Sequence, residues 1–179
     1  MSSVSHGTAA TALHMAAAPR RPGLGDPFLL DPAGAHTLRQ AERSRDLRAP
    51  RWDADFGTWV APFVMAGINT RIVRRSAALY AQWNEPYGPD FVYGESEQFR
   101  APFARAKATI ATARLGLIGA ALGRPMSRRL LRALVPVPGA GPSREAMDAG
   151  WFTCTLVGVT DDGRRVHGVV SDCGDPGNR

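Results

Sequence analysis

An α+β fold is predicted for this chain, and three features of the sequence predict it. Apolar residues recur at three- and four-residue steps over residues 60–83, the period of one helix face. A second apolar helical run occupies residues 103–122. Two runs rich in β-branched residues, 151–159 and 164–171, flank Asp161-Asp162-Gly163, a strong hairpin signal. The expectation is helical segments plus a C-terminal antiparallel β-hairpin over 151–173.

Residues 8–18 are alanine-rich and read as a helix, with Ser5 or Thr8 as N-cap and Pro19 as its stop. Prolines and glycines then recur to residue 34, so the chain should be irregular there, with Phe28, Leu29 and Leu30 tucked against the body. Residues 35–47 suggest a short polar helix and 52–59 a strand or turn; the whole of 19–58 reads as an irregular surface segment. Over 60–83 the apolar stripe is Phe63, Met65, Ile68, Ile72, Leu79 and Trp83, with Pro62 in the first turn. Asn69, Arg71, Arg74 and Arg75 occupy much of the remaining surface of that helix. A turn at 87–90 leads into a short extended piece, Phe91-Val92-Tyr93.

The helix over 103–122 carries Phe103, Ala106, Ile110, Ala113 and Leu117 at helical spacing. Gly116, Gly119 and Gly123 weaken it by about 1 kcal/mol each relative to alanine. Residues 126–134 continue as a short helix with Arg128, Arg129 and Arg132 outward, and 136–142 form a proline-glycine linker. Ser143 caps a brief helix that ends at Gly150. In the hairpin, Asp162-Gly163 as a two-residue turn puts Val157, Val159, Val166 and Val170 on one face. Phe152, Leu156, His167 and Val169 then share the other. Both faces are apolar, so the hairpin should come from a larger mixed sheet covered on both sides.

With 179 residues, 44% hydrophobic and 21% charged, the chain fits one globular domain and argues against disorder, collagen and coiled coil. Its 22 basic and 16 acidic residues give a net charge of +6. Lys107 is its single lysine. An arginine-rich, lysine-poor composition is explained by coding bias as readily as by an anionic partner, and no aromatic platform interleaves the arginines, so nucleic acid is not expected. Cys154 and Cys173 cannot form a disulfide framework, and His6, His14, His36 and His167 are scattered, so no metal site is expected. The N-terminus lacks a basic n-region and a continuous apolar h-region. The quiet stretch 108–123 is broken by Arg114 and falls short of the roughly 20 residues that span a bilayer. A cytoplasmic protein, possible contact at the inner face of the plasma membrane included, is the expectation.

No nucleotide-binding fingerprint is present. Gly23-Leu24-Gly25 has no preceding strand and runs into Asp26-Pro27, and the glycines near Ser143 come without a P-loop lysine. The densest polar cluster is Asn69-Thr70-Arg71-Ile72-Val73-Arg74-Arg75-Ser76. Arginine forks there suit phosphate or carboxylate groups. A solvated helix face paired with Glu85 or Glu95 explains the same residues. His167 has no recognisable acid-base partner, and Asp172, Asp175 and Glu145 fit caps and turns. No catalytic residue is assigned.

The stretch Trp59-Val60-Ala61-Pro62-Phe63-Val64-Met65-Ala66-Gly67-Ile68-Asn69-Thr70-Arg71-Ile72-Val73-Arg74-Arg75-Ser76 resembles the saccharopine dehydrogenase-like oxidoreductases, in the branch of trans-acting enoyl reductases. Three further pieces follow the family's order: Ser5-His6-Gly7-Thr8-Ala9-Ala10, Gly141-Pro142-Ser143 before Gly150-Trp151-Phe152, and Gly174-Asp175-Pro176-Gly177. His6 stands where the family usually has glycine. The resemblance implies a C-terminal, substrate-side portion of 1–179, with the family's N-terminal Rossmann domain and closing helix absent and the hairpin's partner strands with them. It also implies a parent that uses NADP and reduces a lipid-like acyl intermediate in complex-lipid or glycolipid synthesis, with this portion binding no cofactor and inactive alone. Substrate-pocket candidates are Asn69, Arg71, Arg74 and Arg75, and partners are a lipid-like acyl substrate or an acyl carrier. A different class of reading, a non-enzymatic membrane-peripheral or interaction module, rests on the +6 charge, the arginines and the quiet helix.

Overall fold

The computed structural model describes residues 6–18, 23, 25–32, 36–88, 90–133 and 143–174. The elements in chain order are α1 (His6–Ala17), α2 (Leu38–Arg43), β1 (Arg51–Asp53), β2 (Thr58–Pro62), α3 (Ala66–Gln82), β3 (Ser96–Phe99), α4 (Ala104–Gly123), α5 (Pro125–Ala133), α6 (Arg144–Asp148), β4 (Trp151–Val159) and β5 (Arg165–Cys173). The fold is mixed helix and strand with an antiparallel C-terminal hairpin, as the pattern predicts. The chain divides into two compact units, Pro19–Gly119 and Met1–Ala18 with Ala120–Arg179. The division falls inside α4. The expected Ser5 cap, the Pro19 stop, the linker over 136–142 and the piece Asp175-Pro176-Gly177 lie outside the described residues.

The Pro19–Gly119 unit is organised by a small antiparallel sheet, β1-β2-β3, with β2 in the centre. Trp52 pairs with Trp59, and Val60 with Gln98 on the other side. The Thr58 hydroxyl donates to the Phe99 carbonyl at 2.6 Å. Val60 and Ala61 are fully buried. These two residues were expected to open the long helix. Instead Thr58, Trp59 and Val60, all good strand formers, extend into β2. Pro62, which has no N–H to give a ladder, closes that strand. Only after a turn at Phe63, where the Ala66 N–H reaches the Phe63 carbonyl at 3.1 Å, does α3 begin. Gly57, at φ +61°, supplies the left-handed residue that lets β1 turn into β2.

Orientation is the larger surprise in α3. The side chains expected inside, Met65, Ile68, Ile72 and Trp83, are 41%, 48%, 53% and 65% exposed. Those expected outside, Arg71 and Arg74, are 5% and 2% exposed, beside buried Ala66 and Thr70. The physical reason lies in the segment 23–50, expected to be a surface run. Phe28 and Ser44 in it are buried, and irregular chain that is buried must find donors for its carbonyls outside any ladder. Arginine supplies up to five N–H donors, and α3 turns its arginines that way. Leu29 and Leu30, expected to tuck in beside Phe28, stay exposed. The short helix α2 is held by a capping box: the Thr37 hydroxyl accepts from the Gln40 N–H at 3.2 Å, and the Gln40 side chain accepts from the Thr37 N–H at 2.8 Å. Helix α4 runs unbroken through Gly116 and Gly119. Buried Ala108 marks its packed side, and Arg105 lies over the Trp59 ring at 5.2 Å.

In the other unit, α1 lies against α5. Leu13 is buried, and Arg128 donates to the Ala16 carbonyl in the last turn of α1. Ser143 caps α6 as expected, its hydroxyl accepting from the Ala146 N–H at 3.2 Å. The hairpin β4–β5 pairs Trp151 with Cys173 through Val159 with Arg165. Its loop has three residues, Asp161 to Gly163, not two. The Thr160 N–H bonds to the Arg164 carbonyl at 3.0 Å, and Gly163 at φ +82° forms the bulge. That extra residue slips the register by one and moves every β5 side chain to the opposite face from the one expected. Cys154, Leu156, Val166 and Val170 therefore share one face, and Val157, Val159, His167 and Val169 the other. Among the described residues the sheet has two strands only, with Leu156, Val159, Val166, Val169 and Val170 exposed.

Candidate functional site

The polar segment of α3 ties three loops of the Pro19–Gly119 unit together. The Arg74 Nη1 donates to the Pro27 carbonyl at 2.9 Å. Its Nη2 donates to the Ser44 carbonyl at 2.8 Å and the Tyr93 carbonyl at 2.6 Å. The guanidinium carbon lies 5.5 Å from the centre of the Phe28 ring, a cation–π contact. Phe28 in turn stacks on His36, with ring centres 4.0 Å apart and an 11° interplanar angle. One turn earlier, the Arg71 Nη1 pairs with the Asp46 Oδ2 at 2.6 Å and donates to the Thr70 hydroxyl at 3.1 Å. The Thr70 hydroxyl donates to the Ala66 carbonyl at 2.6 Å. The Asn69 Nδ2 donates to the Glu95 Oε2 at 3.0 Å, and the Tyr93 hydroxyl donates to the Glu95 Oε1, also at 3.0 Å. Arg75 is exposed and donates to the Leu30 carbonyl.

The structure therefore brings all four sequence candidates onto one helix but gives them different work. Arg71 and Arg74 are buried and engaged by protein atoms, so the solvated-face expectation fails for both. Arg71 pairs with Asp46, not with Glu85 or Glu95; Glu95 takes Asn69. Asn69 is half-buried and Arg75 open to solvent, and these two remain accessible to a ligand. His167 is exposed on β5.

Around Arg74 the polar shell is under-satisfied. The buried side-chain polar atoms that lack a hydrogen-bond partner among the described residues are Asp31 Oδ1, His36 Nδ1, Ser44 Oγ and Arg74 Nε. Such orphans are rare in native proteins and mark water, ligand or functional positions. Burial raises the pKa of the Asp31 carboxyl, opposed by His36, Arg74 and Arg75. Burial likewise lowers the Arg74 guanidinium, opposed first by Asp46. Sequence reading missed Asp31, His36 and Asp46. Each lies in the irregular segment, where no period signals which side chain points inward.

A raised carboxyl pKa carries a pH signature. A group whose folded pKa is raised contributes stability that is fully present below its ordinary value, 3.8 for Asp31. That contribution is lost as pH rises through the folded value. Asp31→Asn, which cannot ionise, is therefore expected to match or exceed the native protein in stability at pH 7 and to lose that advantage by pH 3. Urea unfolding midpoints across pH 3–7 measure it. A deficit of the Asp31→Asn variant that is largest at neutral pH would show that ionised Asp31 stabilises the fold.

The described residues do not fit a nicotinamide cofactor. Both sheets are antiparallel, whereas dinucleotide sites need a parallel strand, a glycine turn and a helix. Gly23 and Gly25 lie in turns, and no strand precedes them among the described residues. No group of His, Cys, Asp and Glu among the described residues could hold a metal ion. No helix among them is long and apolar enough to cross a membrane. Cys154 and Cys173 are free and exposed.

The chain is similar to curated mycobacterial proteins. It is 32% identical over 172 residues to a protein of Mycobacterium tuberculosis strain H37Rv named as a trans-acting enoyl reductase, covering 86% of this chain and 38% of that protein. It is 39% identical over 128 residues to a trans-acting enoyl reductase of Mycobacterium ulcerans, covering 69% and 29%. A trans-acting enoyl reductase of Mycobacterium bovis BCG is 37% identical over 123 residues, covering 64% and 28%. The chain thus spans at most 38% of the length of these relatives. No family model and no solved structure matches it.

Proposed function

We propose that this chain forms the substrate side of an enoyl reductase. On this reading it is a portion of a saccharopine dehydrogenase-like, NADP-dependent oxidoreductase acting on a lipid-like acyl intermediate of complex-lipid or glycolipid synthesis. Its likeness to proteins named trans-acting enoyl reductase supports the reaction class. The observation that carries the reading is the inverted helix α3. Its buried arginines fix the helix to the unit, and its apolar stripe of Met65, Ile68, Ile72 and Trp83 is left facing solvent. Beside the C-terminal end of that stripe Tyr80, Trp83, Tyr87 and Phe91 form a chain of ring contacts at 5.2–5.5 Å between centres. Exposed apolar side chains grouped on one helix face offer a place for a partner, and a hydrocarbon chain lying along the helix would bury them.

Enoyl reduction adds a hydride and a proton across a carbon–carbon double bond that is conjugated to a carbonyl. On this reading the hydride donor is held elsewhere in the enzyme, and the part of the described residues is to hold the acyl group and exclude water from it. Arg75 and Asn69, next to the stripe and accessible, would receive the carbonyl or an anionic group of the substrate or of an acyl carrier. Arg71 and Arg74 would act through the scaffold, without touching the ligand.

The test is a titration of the full chain with a medium-chain 2-enoyl N-acetylcysteamine thioester, followed by tryptophan fluorescence. Saturable binding is expected. Ile68→Asp combined with Ile72→Asp should weaken it at least tenfold, because each isoleucine buried against the ligand is worth roughly 1.5 kcal/mol or more. Arg75→Ala should weaken it several-fold. No saturable binding, or equal affinity in the double aspartate variant, would sink the acyl-wall reading.

A further inference from the structure

A second polar feature lies in the other unit and takes no part in that reading. Where α5 meets the end of α1 there is an open cleft of about 320 Å³, lined by Ala17, Pro125, Arg128, Arg129 and Arg132. That volume sits at the lower end of the roughly 300–1,000 Å³ of small-ligand clefts. Three of its five lining residues are arginines and none is acidic. Among the described residues none of the three forms an ion pair. Arg128 donates to the Ala16 carbonyl in the last turn of α1, which orients the guanidinium and offsets only part of its charge. Arg129 and Arg132 follow at helical spacing on the same short helix, where like charges repel. An anion between them would relieve that repulsion, and planar guanidinium forks match the oxygens of a phosphate ester.

The same helix carries Met126 and Leu130, one turn apart and 86% and 68% exposed. A helix that shows solvent both arginines and large apolar side chains has the make-up of one that lies in a membrane interface. We propose that this cleft receives the phosphodiester head group of an anionic lipid, with Met126 and Leu130 entering the boundary of the acyl region. The occupant is chosen by the chemistry of the surface. A cleft whose charged lining is all cationic asks for an anion, and the apolar pair on the same helix asks for a hydrocarbon phase, which a free phosphate does not provide. Docking there would bring the protein to the surface where lipid substrates reside, yet it uses no residue of the α3 site. The two readings therefore stand or fall separately.

The full chain is sedimented with vesicles of 30% phosphatidylglycerol in phosphatidylcholine, and with phosphatidylcholine alone, at low and moderate salt. Binding is expected only to the anionic vesicles and should weaken as salt rises. Arg129→Ala with Arg132→Ala should reduce the partition coefficient about 30-fold, from the contribution of two cations near an anionic surface. Both side chains are exposed, so the fold should survive, which circular dichroism checks. Arg39→Ala with Arg43→Ala removes the same charge from exposed positions of α2 and should change binding by less than about threefold. Met126→Ser with Leu130→Ser should also lower binding while leaving the net charge intact. Equal losses from the two arginine pairs would reduce the effect to net charge and overturn the cleft. Absence of binding to anionic vesicles would overturn it as well. Protection of the same arginines by phosphopantetheine without vesicle binding would give the cleft to a soluble phosphate ester and end the membrane proposal.

Discussion

Arg74→Ala is expected to unfold the Pro19–Gly119 unit or bring it close to unfolding. Its guanidinium serves the carbonyls of Pro27, Ser44 and Tyr93, which belong to three loops far apart in sequence. Removing it takes this donor from one buried and two part-buried acceptors. At about 1–3 kcal/mol for each group left unpaired, the sum reaches roughly 3 kcal/mol or more, a large part of the total stability of a domain. For a unit of this size that corresponds to a fall in Tm of about 12 °C or more. Arg74→Lys should recover little, because one ammonium on a flexible stem cannot replace a planar fork that spans three acceptors. Calorimetry of both variants measures this. A lysine variant as stable as the native protein would mean that charge alone, not the fork, holds the loops.

The second large effect is at the Arg71–Asp46 pair. Arg71 is 6% and Asp46 29% exposed at the side chain, and the contact is 2.6 Å. Removing one partner of a fully buried pair costs about 3–5 kcal/mol; the partial exposure of Asp46 lowers the expectation to roughly 2 kcal/mol for Asp46→Ala. Arg71→Ala should cost more, because Arg71 also donates to Thr70 and its buried stem leaves a void. The double variant should be less destabilised than the sum of the two by about 1 kcal/mol or more. Denaturant melts of the four proteins complete the cycle. Strict additivity would show that the pair is not coupled and that each residue acts through other neighbours.

How far the sequence reveals this molecule differs from element to element. The helix periods of α3 and α4 and the hairpin are legible because each is local: spacing of three and four, or alternation around an aspartate-glycine turn. What spacing cannot reveal is which side of a helix meets the protein. In α3 the apolar stripe is real, but the inner side belongs to Thr70, Arg71 and Arg74, because the chain packed there offers carbonyls and Asp46 in place of hydrocarbon. The Arg71 partner stands 25 residues away, in a segment with no regular pattern. The sheet β1-β2-β3 was hidden for a related reason. Its strands have three, five and four residues, too few for alternation to show, and β2 ends in a proline that reads first as the opening of a helix. In the hairpin a single glycine at positive φ turned a two-residue loop into three and reversed the faces of β5. Of the candidate site, the four α3 residues could be read from their density on one helix. Asp31, His36 and Asp46 complete it only through tertiary contact.

The inverted packing of α3 also reverses the usual rule of what such a helix can tolerate. In an ordinary amphipathic helix drift is free at the charged positions and restricted at the apolar ones. Here the architecture depends on Thr70, Arg71 and Arg74, while Met65, Ile68 and Ile72, each about half exposed, carry less of it. Those outward positions can be exchanged at a smaller cost to the scaffold. A lineage can therefore remodel the greasy surface for a new occupant while the arginines hold its frame constant, which makes α3 a place where specificity evolves separately from stability.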